Sequence, residues 1–274
     1  MRALPFVLAL IVAVAVTPAA LRHLSENGFV RENYRDRQLP FPAGFAIVAA
    51  VAIALVPLGA LRELSNAKVF YPEITTIAIY ALGVAFLGFA DDMLSGPSRG
   101  WRGHAAAALD GAFSTGALKA VGALGFAMFA LSGRGLSDGR YLLEVVLLVL
   151  TTNLFNLLDL RPGRSVKALV LLGAGLTLGA TNTRPLGALG LFLAPALVVG
   201  IYDLREQAML GDTGSNLVGA LAGLWMVLTL GAAGQVAALA IVLAATVYGE
   251  FRSISTAIER TPVLRELDSL GRPA

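Results

Sequence analysis

The pattern that most limits the fold is a recurrence. Apolar runs of membrane length follow one another along the whole chain, at roughly 3–20, 43–61, 73–91, 115–132, 141–158, 166–181, 186–203, 213–232 and 235–252. A helix needs about 20 apolar residues to cross a bilayer, because lipid offers the backbone no hydrogen-bond partner. Only 14% of the 274 residues are charged and 57% are hydrophobic, whereas a soluble domain carries about 25% charge. These runs predict an all-α, polytopic bundle of about nine transmembrane helices. Residues 1–274 form a single membrane domain, with no internal repeat, low-complexity linker or soluble module. Residues 3–20 resemble a signal peptide in their single leading Arg and small closing residues, but the basic loop behind them favours a retained helix. Gly and Ala crowd the later runs, as expected where helices pack closely in lipid.

Several chemistries are excluded at once. With no cysteine there are no disulfides, thiolate metal sites or cysteine nucleophiles. With only His23 and His104, neither a histidine-rich metal site nor a Ser-His-Asp triad is expected. Nothing points to a nucleic acid.

Nine spans would put the termini on opposite sides. The segments after the odd-numbered runs carry 15 of the 21 Lys and Arg residues. The positive-inside rule then predicts the N-terminus outside and the C-terminus in the cytoplasm. On that topology Asp91, Asp92, Asp159 and Asp212 all fall at cytoplasmic helix ends.

Three stretches carry chemistry. GFADDM (residues 88–93) places Asp91 and Asp92 side by side at the end of a membrane-length run. Adjacent carboxylates there are costly unless a cation or donors hold them. Mg²⁺ takes one or two carboxylates and lets substrate phosphates complete its shell, and the alternative is a solvated helix end. NLFNLLDLRPGR (153–164) sets Asn153, Asn156 and Asp159 along one side of a helix end, with Arg161, Arg164 and Lys167 following. That combination suits a metal–diphosphate ligand, or else a polar cap and a topology signal. MLGDTGSN (209–216) opens a helix with Asp212 and Thr213 among glycines, which suits phosphate at a helix N-terminus or simple N-capping. Lys119, just inside an apolar run, either snorkels to the surface or meets a phosphate. Asp203 reads as a loop charge. His104 and Asp110 lie in a stretch too polar to span, with Trp101 and Phe113 suggesting an interfacial or re-entrant segment. In the tail (254–274), Val263, Leu267 and Leu270 recur at helical spacing, which predicts a helix lying along the membrane surface.

In this order the three motifs resemble those of the polyprenyl-phosphate N-acetylhexosamine-1-phosphate transferase superfamily, which includes the phospho-N-acetylmuramoyl-pentapeptide translocase of peptidoglycan synthesis. GFADDM is similar to its aspartate pair, and GDTGS matches in full. NLFNLLDLRPG matches its Asn/Asp motif at Asn153, Asn156, Asp159 and Gly163, and NYRDRQLPFPAG (33–44) resembles its first cytoplasmic loop. The resemblance spans about residues 33–255. It implies a multi-pass inner-membrane enzyme of cell-wall biogenesis, with partners that are the bilayer, polyprenyl phosphate and a nucleotide-sugar, and it allows a homodimer. It implies Mg²⁺, with Mn²⁺ as a substitute, on Asp92 and Asp212 with Asp91 beside them. Asp91 would orient the nucleophile, and Asp159 with Asn156 would meet substrate or metal. Asn153, Thr213, Lys119, Arg161, Arg164 and Lys167 would hold substrate. Three departures stand out. Pro162 replaces the second aspartate of the Asn/Asp motif, Ser95 stands where a lysine often follows the aspartate pair, and no histidine loop occurs after His104. A non-catalytic relative that binds a lipid-linked sugar or nucleotide is the alternative. A secondary transporter is less well matched, since its acids should lie mid-helix.

Overall fold

The structure is a computed structural model describing residues 2–94 and 115–273. The stretch holding Ser95, Trp101, His104, Asp110 and Phe113 lies outside the described residues. The long helices are α1 (Leu4–Glu26), α2 (Gly44–Ser65), α3 (Ile74–Leu94), α4 (Thr115–Leu131), α5 (Asp138–Leu158), α6 (Arg164–Ala180), α7 (Arg184–Leu204), α8 (Gly211–Thr229) and α9 (Ala232–Phe251). Short helices α10 (Ile254–Arg260) and α11 (Pro262–Ser269) follow. The long helices fall on the apolar runs, with ends displaced by a few residues. Among the described residues six of them, α1, α2, α3, α5, α7 and α9, are long and apolar enough to cross a membrane. The protein is thus an almost all-α membrane protein.

The centre of the bundle is α8, which packs on α2, α3, α5, α6 and α7 and buries every residue from Thr213 to Val227. A helix enclosed on all sides by protein does not need the hydropathy of a lipid-facing one. By contrast α9 buries only Gln235, Val242 and Thr246, so it lies at the lipid edge.

One element was not expected. Between α1 and α2 runs a hairpin of β1 (Val30–Glu32) and β2 (Gln38–Pro40), antiparallel with Arg31 opposite Leu39. Strands of three residues are too short to show an alternating pattern. The segment after β2 is stitched to the loop before α8. Ala43 N–H donates to Met209 O (2.8 Å), Gly44 N–H to Leu210 O (2.9 Å) and Met209 N–H to Pro40 O (2.9 Å). These bonds fix the first loop of the chain against the Gly-Asp-Thr-Gly segment.

At the opposite end of the bundle, Glu144 is buried and accepts hydrogen bonds from Arg134 (2.9 Å), Arg140 (2.8 Å) and Gln235 (3.2 Å). A buried carboxylate needs such partners.

Candidate functional site

Two glycines explain how the motifs meet. Gly88 of α3 lies against the Asp212 carbonyl, and Gly44 of α2 lies against the backbone of Gly214. A Cβ at either position would overlap main-chain atoms. Small residues at these crossings bring three distant segments to one end of the bundle.

Asp92 meets the start of α8. Its oxygens accept from the backbone N–H groups of Asp212 (2.9 Å) and Thr213 (2.8 Å) and from the Thr213 hydroxyl (2.6 Å). This is N-capping supplied by another helix, and it answers orphan donors that every helix N-terminus carries. Asp92 therefore holds α8 in place with oxygens that a metal would otherwise have to share. Thr213 is likewise committed to Asp92 rather than to a ligand.

Asp91 and Asp212 face a different partner. Lys119 Nζ on α4 donates to Asp91 Oδ2 at 3.3 Å and also to Asp212 Oδ2. A single ammonium thus bridges two carboxylates, a stand-in for a cation between them. Asn156 donates to Ser215 Oγ (3.0 Å) at the same helix start, and Asn153 lies half-buried one turn earlier. Asp159 caps the end of α5 and accepts from Ser165 Oγ (3.2 Å). Burial and then the neighbouring Asp203 carboxylate push the Asp159 carboxyl well above the usual range, with Asp212 and Asp92 adding to the effect. That end of the site is short of positive charge.

A cleft of about 160 Å³ opens here, lined by Asp159, Asp203, Asp212 and Gly211 together with Arg31, Asn33, Tyr34 and Arg161. Arg161 stacks over the Tyr34 ring (4.4 Å) and Arg31 over Phe41 (3.7 Å). Tyr34 in turn donates to Glu206 (2.7 Å). Asn33 is buried. Its Oδ1 accepts from the N–H groups of Arg35 (2.9 Å) and Arg37 (3.0 Å), while its Nδ2 has no partner. A buried donor left unmet is costly unless a ligand or water satisfies it.

Two sequence-based expectations are corrected. Asp203 is no loop charge: it is buried, and it accepts from Gly163 N–H (2.6 Å) and Leu210 N–H (3.2 Å), tying the Asn/Asp loop to the loop before α8. Arg164 and Lys167 do not reach the cleft. Arg164 makes a two-pronged contact with Asp268 (2.9 and 3.0 Å) and reaches Ser255 Oγ (3.0 Å). Lys167 donates to the carbonyls of Leu267 (3.1 Å), Asp268 and Leu270 (3.2 Å). A bidentate guanidinium–carboxylate pair draws Arg164 to the tail, and the unpaired carbonyls at the end of α11 draw Lys167. Arg272 completes the contact, donating to Asp268 (2.7 Å) and to Pro162 O (2.9 Å). Burial alone would raise the Asp268 carboxyl, but hydrogen bonds from Arg164 and Arg272 hold it at about 2. A depressed carboxylate stabilises the fold above its unfolded value, about 3.9, and loses that contribution only as pH falls toward about 2.

The residues fit Mg²⁺ in one specific way. Among the described residues no three acidic or histidine side chains are grouped to hold a metal by themselves. Mg²⁺ does not require that, since one or two carboxylates with substrate phosphates suffice. Asp91 and Asp212, already sharing a cation, are such a pair. No family model matches this chain, and a comparison with curated proteins likewise finds no match.

Proposed function

We propose that the protein is a membrane transferase that moves a phospho-amino sugar from a uridine diphosphate donor onto polyprenyl phosphate and releases UMP. The observation that carries this reading is the Lys119 ammonium held between Asp91 and Asp212 beside a cleft whose lining includes Arg31 and Arg161. Mg²⁺ on Asp91 and Asp212 would neutralise the donor diphosphate and make the sugar-linked phosphorus more electrophilic.

The chain's own residues do the positioning. Arg31 and Arg161 draw the anionic donor in, and the free Nδ2 of Asn33 donates to one of its acceptor oxygens. Asp92 and Asp203 fix the backbone around Asp212 and Gly163. A polyprenyl phosphate oxygen, already ionised at neutral pH, attacks the sugar-linked phosphorus. The bond from that phosphorus to the bridging oxygen breaks, and UMP departs with that oxygen. The nucleophile loses no proton, so no general base is needed, and alignment with charge neutralisation provides the acceleration. Asp91, with Asp212, would hold Mg²⁺ beside the incoming phosphate, and Lys119 lies between the two carboxylates. The full topology belongs to this reading: nine spans in the inner membrane, N-terminus outside, with the cleft open to the cytoplasm.

The second reading is a non-catalytic binder of a lipid-linked sugar or nucleotide. The departures from the resembling motifs favour it, since Pro162 stands in place of the second aspartate and no histidine follows His104. Purified protein, polyprenyl phosphate, Mg²⁺ and a panel of UDP-sugars decide between them. Magnesium-dependent UMP release is expected from at least one donor, and saturable donor binding without release would leave only the binder. Topology is tested separately with the exposed positions Ser65 and Ser253, at opposite ends of the bundle. In intact cells an impermeant thiol reagent should label Ser65→Cys at once and Ser253→Cys only after permeabilisation.

A further inference from the structure

The tail makes more contacts than a membrane-surface helix needs. Asp268 joins it to Arg164, Arg272 joins it to the Pro162 carbonyl, and Lys167 closes the carbonyl end of α11. Arg161 also meets Glu259 of α10 (3.9 Å), and Arg35 of the hairpin turn donates to Pro273 O (3.2 Å). These contacts end on the Leu160–Gly163 loop, on the first turn of α6 that directly follows it, or on the hairpin turn.

The other side of α11 is bare. Val263, Leu264 and Leu267 are exposed on this helix of eight residues, and Leu270, its C-cap, is exposed just past its end. At 100° per residue, Val263 and Leu267 share one face, Asp268 projects from the far side of it, and Leu270 follows directly after the helix. The occupant of that face follows from where the tail begins. It starts three residues after α9, a helix that crosses the membrane at the lipid edge and ends on exposed Phe251. Apolar side chains emerging at that point meet the interface of the bilayer, with Arg260 and Arg265 toward the headgroups.

We propose that α10 and α11 form a strap, seated on the membrane interface by Val263, Leu267 and Leu270, that holds the Leu160–Gly163 loop in its site-forming position through Asp268 and Arg272. Asp268 is on this view a positioning residue: it acts on Asp159 and Arg161 through Arg164 and the loop. The effect on turnover rests on the transferase reading, whereas the effect on the loop itself does not.

The test uses the full chain in lipid nanodiscs. Hydrogen exchange at the amides of Leu160, Arg161 and Gly163 should be at least tenfold faster in Asp268→Ala than in the parent, and Asp268→Glu should restore most of the protection. UMP release should fall several-fold in kcat for Asp268→Ala. Unchanged exchange in Asp268→Ala overturns the strap. If that variant does not fold, Leu267→Ser with Leu270→Ser, which leaves the Asp268 pair intact, carries the same exchange measurement: faster exchange supports the strap and unchanged exchange overturns it. The membrane seat is read from a fluorophore on Leu267→Cys, the sole cysteine of such a chain. Brominated lipids should quench it, and absence of quenching overturns the seat. A parent protein that releases no UMP from any donor would refute the transferase reading while leaving the exchange result to judge the strap.

Discussion

Two charge clusters stand at the same end of the bundle and are built in opposite proportions. In one, a single ammonium, Lys119, serves two carboxylates, Asp91 and Asp212, next to a cleft that also contains Asp159 and Asp203. In the other, a single carboxylate, Asp268, serves two guanidiniums, Arg164 and Arg272, while the neighbouring Lys167 turns to three main-chain carbonyls. The first cluster has an excess of negative charge and opens onto space. The second is satisfied internally and is closed over by the tail. Basic residues drawn from one short stretch of sequence thus divide by geometry: Arg161 lines the cleft and meets the strap only at exposed Glu259, whereas Arg164 and Lys167 turn wholly to the strap. The difference teaches that the unmet donor or surplus charge, rather than the residue type, marks where a ligand can enter.

The largest effect should come from breaking the first cluster. Asp212→Asn keeps the side-chain size but removes one of the two charges that would hold Mg²⁺. Magnesium-dependent UMP release should fall by roughly 100-fold or more. The same isosteric change at Asp268 should cost only several-fold, because it loosens a support and leaves the charges at the cleft intact. Equal losses in the two variants would erase the distinction between site and strap.

A smaller and more diagnostic effect is expected at Lys119. In Lys119→Met the two carboxylates lose their shared cation and repel each other, so the variant should melt at a lower temperature than the parent. Millimolar Mg²⁺ should then raise its Tm by more than it raises that of the parent, since the ion would take the position of the ammonium. A Tm deficit indifferent to Mg²⁺ would mean that the pair binds only lysine.

How much of this could be read from the sequence depends on the range of the signal. Helices follow from runs of apolar residues, a local property, and most ends were legible to within a few residues, as with 166–181 against Arg164–Ala180 for α6, though α1 runs past residue 20 to Glu26. Asp91, Asp92, Asp159 and Asp212 were conspicuous because carboxylates are rare in such a chain, and the structure does gather them. Their individual duties were not legible. Asp92 differs from Asp91 only by one step around a helix, yet that step turns it to the N-terminus of α8. Asp203 looked like any charge after a helix, because the Gly163 and Leu210 amides it satisfies are remote or non-periodic. The apolar face of the tail was visible as a spacing, but its polar face pairs with residues about a hundred positions away, and no local pattern encodes that. The Asn33 donor was hidden for the same reason, being defined by the partner it lacks.

The smallest expected effect is also the finest separation between the clusters. Arg161 lies over the Tyr34 ring at the mouth of the cleft, partly exposed, where a phosphate could exchange with the ring as its partner. Exposed charge contacts are weak, so Arg161→Ala should raise the apparent KM for the nucleotide-sugar by only about 3- to 10-fold, which is about 1 kcal/mol. It should leave kcat and Tm close to the parent values, since no buried group loses its partner. Lys167→Ala, six residues away, should do the reverse. It removes the donor to three tail carbonyls, so loop protection and Tm should fall while KM stays constant. The pair of variants needs to be measured together, because each supplies the control the other lacks. A KM shift in Lys167→Ala alone would return the strap cations to the binding site and dissolve the comparison.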